Sequence, residues 1–118
     1  MLCKFESEIG NVYINNEVIA TIAGSSAMEC YGLVGMASKS ATDGFVKLLR
    51  KENMTKGVKV KIEDNSIVLD LYVIIQYGTR ISVVADNIIN KIKYNVENQT
   101  GMSVKDVNIN IEGVRVLY

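Results

Sequence analysis

Gly57-Val58-Lys59-Val60-Lys61-Ile62-Glu63-Asp64-Asn65-Ser66-Ile67-Val68-Leu69-Asp70-Leu71-Tyr72-Val73-Ile74-Ile75-Gln76-Tyr77 is the stretch that decides the fold. Val58, Val60 and Ile62 alternate with Lys59, Lys61 and Glu63, and a polar turn, Asp64-Asn65-Ser66, follows. Beyond it Ile67, Leu69, Leu71, Val73, Ile75 and Tyr77 recur at a spacing of two. Successive side chains of a strand point to opposite faces, so this alternation predicts a hairpin whose second strand lays one face on a core.

Working outward, Gly78 and Thr79 break the strand, and Thr79 or Ser82 opens a long helix. Its predicted buried stripe is Ile81, Val84, Ala85, Ile88, Ile89, Ile92 and Val96, with Gly101 as C-cap. A last strand carries Val104, Val107, Ile109 and Ile111. After Gly113 the apolar parity shifts to Val114 and Val116, which predicts a bulge or bend there, or a strand that stops at Glu112.

Upstream of the hairpin, Asn11 to Ile14 read as a short strand, and residues 1–9 as a frayed terminus. Asn15 or Asn16 caps a helix running to about Cys30, with Val18, Ile19, Ile22, Ala23, Ser26, Ala27 and Cys30 on its buried face. Gly32 is expected to end that helix, and Leu33, Val34 and Met36 suit a strand. Gly32-Leu33-Val34-Gly35 fits the Gly-x-x-Gly pattern of some RNA-binding loops, but its interior is apolar, so a helix stop before a strand is preferred. A short helix over 43–52, capped by Thr42 or Asp43, completes the set.

The order is therefore β-α-β-α-β-β-α-β, and one domain spans 1–118. Two long amphipathic helices need one apolar sheet face, so the expected class is α/β (α+β): two layers, with both helices on one face of a mixed sheet. Its expected core is Ile22, Ala23, Leu69, Leu71, Val73, Ile88, Ile92 and Ile109.

Composition excludes several chemistries. There is no histidine, so Ser-His and Cys-His nucleophile pairs are ruled out and the commonest metal ligand is missing. Cys3 and Cys30 make neither a metal spacing nor a disulfide framework, so no metal, disulfide or cofactor is expected. No secretory signal is read at the N-terminus, and no apolar run reaches the roughly 18 residues of a membrane span, so a soluble, cytoplasmic chain is expected.

Thirteen basic residues balance thirteen acidic ones, which makes nucleic acid an unfavoured partner. The charge is uneven, however. Lys47, Arg50, Lys51, Lys56, Lys59 and Lys61 crowd the 39–61 segment, a solvated run or a basic patch for an anionic surface or an acidic partner. On the even-numbered face of the long strand lie Val68, Asp70, Tyr72, Ile74 and Gln76, read as a candidate subunit interface. A lone Asp70 on a strand is expected to be solvated or paired rather than catalytic.

Gly10-Asn11-Val12-Tyr13-Ile14, Val18-Ile19-Ala20-Thr21-Ile22-Ala23, Tyr31-Gly32-Leu33-Val34-Gly35-Met36, Gly57-Val58-Lys59-Val60, Leu69-Asp70-Leu71-Tyr72-Val73, Gln76-Tyr77-Gly78, Thr100-Gly101, Val107-Asn108-Ile109-Asn110-Ile111 and Gly113-Val114 resemble, in order and spacing, the alkaline shock protein family of Gram-positive-type bacteria. The resemblance covers about residues 10 to 116. It implies a small cytoplasmic α/β protein without known catalytic activity, linked to cell-envelope homeostasis or envelope stress. Some members of the family are tethered under the membrane by a separate membrane protein and self-assemble, and others are linked genetically to fatty-acid or lipid metabolism. The expected function is thus a non-catalytic, homo-oligomeric adaptor. The alternative is a small nucleic-acid-binding module using the basic 39–61 segment.

Overall fold

The structure is a computed structural model that describes residues 2–39, 46–48 and 55–116. The elements are β1 (Leu2–Ser7), β2 (Gly10–Asn15), α1 (Asn16–Met28), β3 (Leu33–Lys39), β4 (Val46–Leu48), β5 (Val58–Glu63), β6 (Ser66–Gln76), α2 (Ile81–Thr100) and β7 (Val104–Arg115). The expected two-layer α/β class holds, with both long helices packed on one face of a mixed sheet.

Strand β6 is the centre. Ile67, Leu69, Leu71, Val73 and Ile75 have no exposed surface and meet the helices. One edge of β6 pairs in parallel with β7 along its length. The other is shared: β5 takes Ser66 to Leu71 and β3 takes Val73 to Ile75, both antiparallel. β4 lies beyond β3. The β5–β6 turn is Asp64-Asn65, both at positive φ (50° and 63°), as a two-residue hairpin turn with the right twist requires. Ser66, read as part of the turn, already pairs with Glu63.

Helix α2 buries Val84, Ile88, Ile92 and Val96, one side chain per turn. It ends at Gly101, left-handed at φ 76°, whose N–H bonds the Glu97 carbonyl. The Glu97 carboxylate then accepts the Val104 N–H at 2.9 Å, which fixes the chain's return to the sheet. Helix α1 starts at Asn15, whose side-chain oxygen accepts the Glu17 N–H at 3.0 Å. Its buried residues include Ala20, Ala23, Gly24, Ser26 and Ala27, a thin face that packs on α2. Ser26 Oγ donates to the Ile22 carbonyl at 2.7 Å and accepts from Asn95 Nδ2 of α2 at 2.8 Å.

Several expectations need correction. Leu2–Ser7 is a strand, not a frayed end, and pairs antiparallel with β2. Of the helix expected over 43–52, residues 43–45 and 49–52 lie outside the described residues, while Val46–Leu48 pair with β3 as a strand. Apolar neighbours such as Val46 and Leu48 fit either period, and the β3 edge selects the extended one. Neither Thr79 nor Ser82 caps α2; Arg80 holds that position and makes no side-chain capping bond. Gly32 does not end α1, which stops at Glu29 in a right-handed conformation. Instead Gly32, at φ 88°, lets the chain turn beneath α2, where a Cβ would sit 2.7 Å from Val84 Cγ2.

Val18 and Ile81, placed on buried faces by periodicity, are about half exposed. Ile22 and Ile109 of the expected core are only partly buried. In each helix the apolar stripe is wider than the sheet surface it meets.

The parity shift near Gly113 is a bulge: Val73 pairs Ile111, but Ile74 pairs Gly113. The strand continues to Arg115 instead of stopping at Glu112. A second register shift, at Lys105, left no parity signal in the sequence.

Candidate interaction surfaces

The sheet has a second face, opposite the helices, built from even-numbered β6 residues and their neighbours. Lys59 and Lys61 of β5 stand across from Asp70 and Val68, and Asn108 and Asn110 of β7 flank Asp70 and Tyr72. The contacts are specific. Asn108 Nδ2 donates to Asp70 Oδ1 at 2.9 Å, and Asn110 Nδ2 donates to the Leu71 carbonyl at 3.1 Å. The Lys59 ammonium lies 5.8 Å from the centre of the Tyr72 ring, within cation–π range.

Of the candidate interface residues, Asp70, Tyr72 and Gln76 are half-buried. Val68 and Ile74 are buried, at 7% and 2% exposure, so the open apolar patch expected from alternation is not there to be read on the monomer surface. What the described residues of this face present is polar: an Asp–Asn pair, two lysines and a half-buried tyrosine. Of the candidate basic patch, Lys56, Lys59 and Lys61 are exposed, and Lys59 and Lys61 share the Tyr72 face. Lys47 lies in β4, opposite Ser38; Arg50 and Lys51 are outside the described residues.

No group of three or more metal-ligating side chains occurs among the described residues. Cys30 is half-buried, and burial pushes its thiol pKa up, away from nucleophilic chemistry. Beside it, Lys91 Nζ and Glu29 Oε2 are 2.8 Å apart, which holds the Glu29 carboxyl below its ordinary range and raises the Lys91 ammonium.

Two exposed regions escaped the sequence reading. At one end, Tyr31, Gly78, Thr79, Arg80, Val83, Val84 and Asn87 line a cleft of about 280 Å³. Tyr31 and Tyr77 are 80% and 69% exposed. Each precedes a glycine at positive φ, so the repeated Tyr-Gly pair was the signal available in the sequence. At the other end strand β2 of the β1–β2 hairpin stands largely in solvent: every β2 residue is exposed except half-buried Ile14.

The described residues thus leave aromatic and aliphatic side chains exposed at both ends of the fold. Residues 4–116 match the alkaline shock protein 23 family, described as having a cell envelope-related function, and the chain belongs to that family. It is 48% identical to the uncharacterized protein YloU of Bacillus subtilis (strain 168), over 98% of this chain and 98% of that one. It is 44% identical to the uncharacterized protein Spy1614 of Streptococcus pyogenes serotype M6, over 99% of this chain and 98% of that one. The B. subtilis protein YqhY is 36% identical, over 93% and 81% respectively. No solved structure matches the chain. No described helix is long and apolar enough to cross a membrane.

Proposed function

We propose that this protein is a non-catalytic assembly and adaptor module serving the cell envelope from the cytoplasm, acting through self-association and through a membrane-anchoring or lipid-metabolism partner. The supporting observation is the set of large apolar side chains left in solvent at both ends of the fold: Ile9 is 100% exposed, Tyr31 80% and Tyr77 69%. Grouped apolar exposure, as of Tyr31 and Val83 at the cleft, marks contact surfaces, and aromatic anchors dominate interface energetics. The polar outer sheet face, with Asp70, Tyr72, Gln76, Lys59 and Lys61, suits the rim of such a contact.

Sedimentation of the purified chain at roughly tens of micromolar, a range in which weak interfaces populate, is expected to show species larger than a monomer. Co-purification from native cells with and without detergent is expected to bring down a membrane or lipid-enzyme partner. A strict monomer that captures nothing specific in either condition overturns the proposal.

The nucleic-acid reading draws on one observation, the Lys59–Tyr72 stack beside Lys61. It predicts binding whose affinity falls steeply with salt. Asp70 on the same face and the neutral net charge weigh against it.

A further inference from the structure

The two exposed regions lie at opposite ends of the molecule. Lys4 and Glu6 of the β1–β2 hairpin border the Asn65 turn and Gly101 to Ser103, at the start of β6 and the end of α2. The Tyr31–Val83 cleft lies where β6 ends and α2 begins. The eleven residues of β6 separate these ends by about 35 Å at roughly 3.3 Å per residue, along a molecule 54 Å long.

The ends are chemically complementary. The hairpin tip carries Glu6, Glu8 and fully exposed Ile9, with Val12 and Tyr13 about half exposed behind it. A two-stranded ribbon is marginal in water, so the exposed Val12 and Tyr13 of this one gain from a surface to lie against. The cleft offers apolar walls, Tyr31 and Val83, with Arg80 on its rim. Arg115 is close by, because the Tyr77 N–H bonds the Arg115 carbonyl at 2.8 Å. Neither arginine has a carboxylate partner among the described residues. The first turn of α2 holds no acidic residue and receives no side-chain cap. A carboxylate arriving there would meet free N–H groups and the positive end of the helix dipole.

We infer that the β1–β2 hairpin of one copy seats in the Tyr31–Gly78–Val83 cleft of a second copy, with Ile9 in the cleft and Glu8 against Arg80 and the α2 N-terminus. This names the contact for the self-association proposed above, and rests on that reading. The two surfaces differ, so the contact is heterologous: each copy donates a hairpin at one end and accepts one at the other. Such contacts build rings or open chains rather than a two-fold dimer.

The test uses two variants at exposed positions, Ile9→Asp and Tyr31→Asp, each checked for an unchanged thermal melt. Alone, each is expected to lose association by about tenfold or more, as truncating a contact anchor does. Mixed one to one, they are expected to form a discrete heterodimer and stop, because the mixture contains one intact hairpin and one intact cleft per pair. Glu8→Arg combined with Arg80→Glu in one chain is expected to restore part of the association that either change removes.

An unmodified chain that is monomeric overturns both this contact and the self-association reading. An unmodified chain that associates, with both variants associating equally well, leaves self-association standing and overturns the contact. Tyr31-dependent binding to phosphatidylglycerol vesicles by a monomeric chain assigns the cleft to a lipid surface instead and also overturns it.

Discussion

Strands β6 and β2 are built from similar residues and end in opposite environments. β6 alternates Ile67, Leu69, Leu71, Val73 and Ile75, each without exposed surface. β2 offers Val12, Tyr13 and Ile14, and only Ile14 packs against the core cluster. The difference lies in the neighbours. β6 has strands on both edges and two helices over one face, whereas β2 has one strand, β1, and the start of α1. Apolar alternation states that a strand can be buried; the number of elements that reach it decides whether it is.

Truncation sharpens this contrast most. Leu71→Ala is expected to lower stability by roughly 2–5 kcal/mol, as buried leucine truncations do. Val12→Ala in the hairpin is expected to stay within about 0.5 kcal/mol, as exposed changes do. Urea melts of the two variants measure both, and equal losses would break the comparison.

A second test sits where β3 enters beside β6. Gly32→Ala forces a side chain into φ 88° and against Val84, while Gly78→Ala adopts a similar φ of 91° with nothing within 4 Å of its Cβ. The backbone strain alone is of order 1–2 kcal/mol. Gly32→Ala is expected to lower the melting temperature further than Gly78→Ala, and the excess reports the close packing of α2 over the sheet. A slightly smaller loss, roughly 0.5–1.5 kcal/mol, is expected for Asn95→Ala, which removes the hydrogen bond to buried Ser26 between the helices.

The smallest effect is expected from the Glu29–Lys91 pair, which lies in the helix layer but is as exposed as the hairpin. Lys91 lowers the Glu29 pKa in the folded state, so its contribution is present above the unfolded carboxylate pKa and fades as pH falls through the acid range. The Lys91 pKa is raised, so its contribution is present below the unfolded lysine pKa and fades as pH rises through the alkaline range. Glu29→Gln is expected to flatten both limbs slightly in a series of melts against pH, and less so in high salt.

Local periodicity made most of the fold legible. The hairpin of β5 and β6, the two long helices, the Asn15 and Gly101 caps and the bulge near Gly113 all follow from short-range pattern. The surfaces were less legible. Lys59, Lys61, Asp70 and Tyr72 do converge, because strand parity and one hairpin register suffice to bring them together. Burial of Val68 and Ile74 could not be read the same way, since alternation does not say whether a second face is covered. The cleft at Tyr31 and Gly78 joins two loops about 47 positions apart in sequence, and no period links them.

By itself, then, the sequence determined β2, β3, the β5–β6 hairpin, β7, the two long helices with most of their buried faces and the lack of histidine-based chemistry, because each depends on residue identity and spacing alone. Only the tertiary structure decided that Val46–Leu48 extend along β3, that β7 lies parallel to β6 with a second bulge at Lys105, and that the β1–β2 hairpin and the Tyr31 cleft stand at opposite ends. Those outcomes turn on which distant backbone supplies the hydrogen bonds and where the covering helices run out, and neither quantity is carried by any local stretch of chain.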